Sequence, residues 1–141
     1  MWTLSGMTQA VRGQLLGMAP QESPGRIVTD TRILAPNDVF VALKGERFDG
    51  HDFVEEAVRR GASVVIVHKP EWANRVKDRA AVIVVNDTLQ ALGDLARSLR
   101  ERFSLPVIGI TGSNGKTSTK EMTASILSQK LTILKNPGNF N

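Results

Sequence analysis

The chain has 141 residues and a mass of 15.4 kDa, enough for one compact domain, or for a small domain with part of a second. Apolar residues make up 41% and charged residues 23%, a globular balance that argues against a disordered tail. The absence of cysteine excludes disulfides, thiolate zinc sites, iron–sulfur clusters and cysteine nucleophiles, and two histidines are too few for a histidine-rich metal site. The net charge of +4 raises nucleic acid as a partner, but the basic residues are interleaved with acids.

The densest basic group, residues 97–102, contains Glu101 and reads as the solvated side of a helix. Two tryptophans, five phenylalanines and no tyrosine supply few platforms for stacking bases. No nucleic-acid partner is expected, and the positive balance suits an anionic small molecule such as a nucleotide. No apolar run approaches the roughly 20 residues that cross a bilayer. The first twenty residues lack a basic start followed by an apolar stretch. The expectation is a cytoplasmic protein without membrane insertion.

In chain order, a short helix is predicted over residues 8–16, then a turn-rich loop over 19–25 and a short strand at 27–30. A second strand, residues 39–43, leaves through Lys44 and Gly45. Asp52, three residues before Glu55, has the spacing of a helix cap ahead of Phe53, Val54, Ala57 and Val58, and Gly61 ends that helix. Residues 63–67 and 81–85 are continuous apolar runs of the kind buried on both faces of a parallel sheet, joined by a basic connector over 72–79. Asp87 caps the next helix, whose apolar stripe reads Leu89, Leu92, Ala96, Leu99 and Phe103. After Pro106 come a strand at 107–111, a glycine-rich turn, a helix from 116 to 129 and a strand at 131–134. Alternating strands and helices predict an α/β fold. The domain boundary is expected near Asn86, giving domains over residues 1–86 and 87–141.

The strongest chemical signal is Gly109-Ile-Thr-Gly-Ser-Asn-Gly-Lys-Thr-Ser118, placed between a strand and a helix as a phosphate-binding loop requires. Gly112 and Gly115 let backbone N–H groups approach phosphate oxygens, Lys116 brings a positive charge to the β- and γ-phosphates, and the Thr117 hydroxyl completes Mg²⁺ coordination. The general pattern has glycine five residues before Gly115, where this chain has Ile110. Asp49-Gly-His-Asp52 is read as a turn glycine followed by a capping Asp, not as a metal site. His68 is read as a loop residue, and Trp2 and Trp72 as packing at the domain edge.

The loop T-G-S-N-G-K-T resembles that of the Mur ligases and their relatives, the folylpolyglutamate synthetases. Thr29-Asp-Thr-Arg32, Pro36-Asn-Asp-Val-Phe-Val-Ala-Leu-Lys-Gly45, Phe48-Asp-Gly-His-Asp-Phe53 and Gly61-Ala62 resemble the amino-terminal domain of the Mur ligases that add the third and later stem-peptide residues. Residues 112–122 and Pro137-Gly-Asn-Phe-Asn141 resemble the branch that appends D-Ala-D-Ala. The resemblance implies a small α/β domain binding the UDP end of UDP-N-acetylmuramoyl-tripeptide, then the start of a Rossmann-like parallel-sheet ATPase domain. It implies ATP and Mg²⁺ as cofactors, and ligation through an acyl phosphate.

Residue by residue, it implies ATP contacts from Thr111, Gly112, Ser113, Asn114, Gly115, Lys116, Thr117 and Ser118, with Lys116 and Thr117 catalytic and Thr117 holding Mg²⁺. It implies uridine-diphosphate contacts from Thr31, Arg32, Glu46, Arg47 and Phe48. For these, two plainer roles stay open: a structural Asp30–Arg32 ion pair and simple packing of Phe48. Lys120 and Glu121 are read as an exposed charged pair, and Asn136 and Asn139 belong to a loop that approaches the cleft in the family. A monomer is expected, as is a chain that ends inside its ATP-binding domain and does not ligate by itself. The sister ligase adding the third residue, another phosphate-loop NTPase and a basic binding module remain as alternatives.

Overall fold

The computed structural model describes residues 2–20 and 22–136. The chain divides into two compact units, Met1–Phe103 and Ser104–Asn141. The first is an α/β layer structure around a five-stranded sheet ordered β1-β5-β4-β3-β2. Strands β2 (Ile27–Val28), β3 (Val39–Val41), β4 (Val64–Val67) and β5 (Ala81–Val84) run parallel, and β1 (Gln14–Gly17) closes one edge antiparallel to β5.

The central strands are apolar at every position because both sheet faces are covered. Successive side chains point to opposite faces, so register sorts them into two cores. Val39, Val41, Val64, Ile66, Ala81 and Ile83 pack with Met7 of α1 (Leu4–Ala10) and with Ala91 and Leu95 of α4 (Thr88–Glu101). Phe40, Val65, Val67 and Val82 pack with Val54 and Ala57 of α2 (Val54–Arg59) and Ala73 and Val76 of α3 (Pro70–Val76). Each large side chain buried this fully contributes roughly 1.5–3 kcal/mol relative to exposure.

Several predicted elements are corrected. The first helix lies at Leu4–Ala10, where the Thr3 hydroxyl accepts from the Gly6 N–H, and Leu15 and Leu16 belong instead to strand β1. The expected connector over 72–79 contains helix α3, started by Pro70 at its first turn and held by only two buried side chains, Ala73 and Val76. Asp87 does cap α4, accepting from the N–H groups of Leu89 (2.7 Å) and Gln90 (2.9 Å). The buried face of α4 is Thr88, Ala91 and Leu95, while Leu89 is 69% and Phe103 52% exposed. The tight turn from β5 through the Asp87 cap sets the rotation of the helix, and the smaller Ala91 faces the sheet.

Because α4 shares a core with α1 and the sheet, it belongs to the first unit, and the division falls after Phe103 instead of near Asn86. In the second unit, α5 spans Lys116–Leu127 and buries no residue. The strands expected at 107–111 and 131–134 do not form: all five strands lie in the first unit, and neither stretch has a ladder neighbour among the described residues. Val107, Ile108, Met122, Ile126 and Leu134 are correspondingly exposed. The motif Pro137-Gly-Asn-Phe-Asn141, with Asn139, lies outside the described residues.

Candidate functional site

Parallel strands deliver their loops to one edge of the sheet, and ligands of open α/β folds collect outside the carboxyl ends of such strands. Here β2 leads to Thr31 and Arg32, β3 to Lys44–Phe48, β4 to His68, and β5 to Asn86 and Asp87. A cleft of about 610 Å³ opens at this edge, lined by Lys44, Gly45, Glu46, His68 and the segment 86–89. Of the residues expected to meet a uridine diphosphate, Glu46 lines this cleft. Thr31, Arg32, Arg47 and Phe48 follow the same strand ends but are not part of its lining.

Carboxylates and a histidine brace the loops of the first unit, Asp30, Asp49 and His51 at this edge and Asp38, just before β3, at the opposite one. Asp30 caps the 3-10 turn Thr31–Ile33 through the Arg32 N–H (2.9 Å) and holds the Arg32 guanidinium with a shortest contact of 2.6 Å. The structural ion pair therefore forms, and the hydrogen bonds from Arg32 lower the Asp30 carboxyl to about 2. Asp38, nearly buried, accepts from the Arg26 side chain and from the backbone N–H groups of Arg26 and Ala35. Burial alone would push Asp38 up, but these hydrogen bonds outweigh it and hold the carboxyl below its ordinary range.

The loop after β3 is a small hairpin closed by the Lys44–Asp49 bridge and by the Gly45 N–H donating to the Phe48 carbonyl (2.9 Å). Gly50 follows it against the Leu43 backbone, where an added Cβ would lie 2.7 Å from the carbonyl oxygen, so a side chain is sterically excluded. Phe48, at the tip, is 75% exposed, so most of its ring faces away from the core. The cap here is Asp49, whose carboxylate accepts from the His51 N–H (3.0 Å), so the expected role of Asp52 is corrected. Helix α2 itself starts without a side-chain cap.

His51 has no exposed surface, and both its ring nitrogens are used. The His68 backbone N–H donates to Nε2 (3.2 Å), which places the ring proton on Nδ1, from where it is donated to Asp49 (2.6 Å). The imidazole thus ties the base of the β3 loop to the end of β4. Its ring meets that of His68 edge-on at 4.1 Å, and Trp72, under the Arg75 guanidinium at 4.3 Å, lies 6.1 Å away. Trp72 therefore packs, as expected of it. Sequence reasoning passed over Lys44, His68, Asn86 and Thr88 as site residues. The available signal was their place directly after three apolar strands.

In the second unit the glycine-rich turn has the backbone that a phosphate loop needs. Gly112 (φ 147°) and Gly115 (φ 76°) occupy conformations that L side chains rarely adopt. Gly115 is also the N-cap of α5 and supplies no side-chain acceptor, so no cap side chain competes for the first-turn N–H groups. Lys116 folds back over the turn, its ammonium donating to the Gly112 carbonyl (2.6 Å). Thr117 and Ser118 follow on the first turn of α5, with Thr111, Ser113 and Asn114 in the exposed approach to it. A turn of backbone N–H groups, one lysine and a following hydroxyl fits a nucleotide triphosphate with its metal. Lys120 donates to the Asn136 carbonyl (3.2 Å), and Glu121 pairs with Lys120 (3.7 Å) and Lys135. The hydrogen bond from Lys135 chiefly keeps the Glu121 carboxyl low. The expected charged pair therefore also holds down the chain after α5.

This chain belongs to the Mur ligase family: the Mur ligase family, catalytic domain, matches residues 26–100, and the Mur ligase middle domain matches residues 110–141. It is 43% identical over 139 residues to the UDP-N-acetylmuramoyl-tripeptide–D-alanyl-D-alanine ligase of Escherichia coli, covering 99% of this chain and 29% of that protein. The Bacillus subtilis protein of the same name is 40% identical, covering 99% of this chain and 30% of its own length. Among solved structures, a crystal structure of MurF from Acinetobacter baumannii matches with a TM-score of 0.87 at 44% identity, covering 98% of this chain and 30% of that one. MurF ligase from Thermotoga maritima in complex with ADP matches with a TM-score of 0.74 at 42% identity, covering 82% and 26%. The chain spans about three tenths of the length of the two curated relatives. Among the described residues no helix is long and apolar enough to cross a membrane.

Proposed function

We propose that this chain acts as the front part of an ATP-dependent ligase that joins D-alanyl-D-alanine to UDP-N-acetylmuramoyl-tripeptide in peptidoglycan synthesis. The observation that carries this reading is the identity of 40–43% to ligases of that name, running through both units and across the glycine-rich turn. In this reading the first unit holds the UDP end of the substrate and the second holds ATP.

A carboxylate is a poor electrophile, and ATP supplies the phosphoryl group that turns it into an acyl phosphate. The work of this chain is alignment and charge neutralisation. Backbone N–H groups from Gly112 to Gly115 and the start of α5 cradle phosphate oxygens, and Lys116 exchanges its contact with the Gly112 carbonyl for one with phosphate. The Thr117 hydroxyl is the metal-side ligand, and Thr111, Ser113, Asn114 and Ser118 border the phosphates. At the sheet edge, Glu46, Arg47 and Phe48 meet the nucleotide, with the exposed Phe48 ring offering a flat face to uracil. Thr31 and Arg32 flank them, the guanidinium being shared between Asp30 and diphosphate.

The test is phosphate release by the complete protein. It should require ATP, UDP-N-acetylmuramoyl-tripeptide and D-Ala-D-Ala together, and this 141-residue chain alone should give none. Release driven instead by UDP-N-acetylmuramoyl-dipeptide and a diamino acid would assign the protein to the sister ligase. Ligation by the chain alone would overturn the division of labour set out above.

A further inference from the structure

We propose that His68 is a ligand-contacting residue of the sheet-edge cleft, donating an imidazole N–H to a phosphate oxygen of the nucleoside diphosphate beside the Lys44 ammonium. This rests on the reading of that edge as the UDP-binding end, and it adds a residue that the sequence motifs do not point to. The argument starts from a contrast between two histidines. His51 is fully buried with both ring nitrogens bonded, which is how a structural histidine behaves. His68 is half-buried, lines the cleft, and has no hydrogen-bond partner for either ring nitrogen among the described residues.

What His68 does have is a fixed position. It is the first residue after β4, its backbone N–H is tied to His51 Nε2, and its ring rests edge-on against the His51 ring at 4.1 Å. A side chain whose ring is placed by its neighbours loses little rotamer entropy when it engages a ligand. Burial, with His51, Lys69 and Lys44 nearby, holds the imidazole below the ordinary histidine range, and Asp49 only partly opposes them. At neutral pH the ring is therefore an uncharged group with one N–H donor, and Lys44 supplies the charge in the same lining. Of the two carboxylates in that lining, Asp87 is held by the N–H groups at the start of α4, whose positive end partly offsets its charge, and Glu46 is the other.

The experiment follows the His68 imidazole and the amides of Glu46, Arg47 and Phe48 by NMR in the isotope-labelled chain, titrated with UDP-N-acetylmuramoyl-tripeptide and with UDP. Both sets of signals should move, and the His68 imidazole should titrate at higher pH when the ligand is bound, because a phosphate stabilises its protonated form. His68→Phe keeps a ring against His51 but removes the donor, and should weaken binding about tenfold. His68→Gln restores a donor and should stay within about threefold of the parent chain. Movement of the loop amides with an unmoved His68 ring and unchanged affinity in His68→Phe would overturn the role of His68 and leave the UDP reading standing. Silence of the loop and the ring alike, in a folded chain, would overturn both.

Discussion

The two candidate sites are built in opposite ways. The cleft of the first unit lies on loops whose ends are fixed from beneath: Asp30 and Asp49 cap turns, and buried His51 joins two strands' loops. The glycine-rich turn of the second unit is shaped by its own residues, two glycines at positive φ and one lysine folded onto the turn, ahead of a helix that buries nothing. A glycine-rich turn of this kind can thus be specified by a few consecutive residues, whereas the sheet-edge cleft has to be assembled from three separate strand ends.

The largest effect expected of this difference is in amide hydrogen exchange of the chain. Amides of β3, β4 and β5 open only with the whole first unit and should exchange at least about a thousandfold more slowly than those of α5, since an isolated helix of this length is marginal in water. Comparable protection in α5 would mean that the second unit has support the described residues do not show. Next comes Lys116→Ala in the complete protein. Loss of a charge aimed at the transferring phosphoryl group should lower kcat by about 10²–10³-fold, while first-unit amide shifts stay in place. A loss confined to KM would place Lys116 in ground-state binding only.

Smaller in free energy, but a direct test of the bracing, is His51→Ala. It removes a fully buried ring, orphans the His68 N–H, takes a hydrogen bond from Asp49 and opens a cavity, so urea unfolding should show the first unit destabilised by about 2–4 kcal/mol. Ile126→Ala in α5, by contrast, should change stability by less than about 0.5 kcal/mol, because Ile126 is 67% exposed. Equal effects from the two substitutions would erase the distinction between a built site and a local one.

The same distinction explains what could be read in the sequence. The buried strands of the first unit, the Asp87 cap, the α/β alternation and the glycine-rich turn ahead of α5 depend on neighbours within a few residues and were legible. Edge strand β1, by contrast, was read into the first helix, and the two strands expected in the second unit do not form. Helix α3 was not, because two buried side chains among charges give no periodic signal. The face of α4 was misjudged by following the largest apolar residues, since Leu89 and Leu99 lie outward while Ala91 meets the sheet. His68 could not be distinguished from an ordinary loop residue, because its place depends on a partner 17 residues away in sequence.

The smallest expected effect concerns the most exposed brace. The Asp30 carboxyl is lowered to about 2, first by hydrogen bonds from the Arg32 guanidinium and then by the Arg32 N–H. Its folded value lies below the usual one, so its contribution to stability is fully present above about pH 4 and is lost as the pH falls toward 2. Carboxyl carbon NMR of Arg32→Ala should show Asp30 titrating at higher pH, yet still below the ordinary aspartate value, because the backbone N–H of residue 32 goes on donating. An unmoved Asp30 would make the turn, not the guanidinium, the source of the shift. If diphosphate draws the guanidinium away, saturating UDP should raise the Asp30 titration in the parent chain in the same direction and leave it unchanged in Arg32→Ala. With 85% of its side chain exposed, Arg32 can turn from its own neighbour to a ligand without opening the core beneath it.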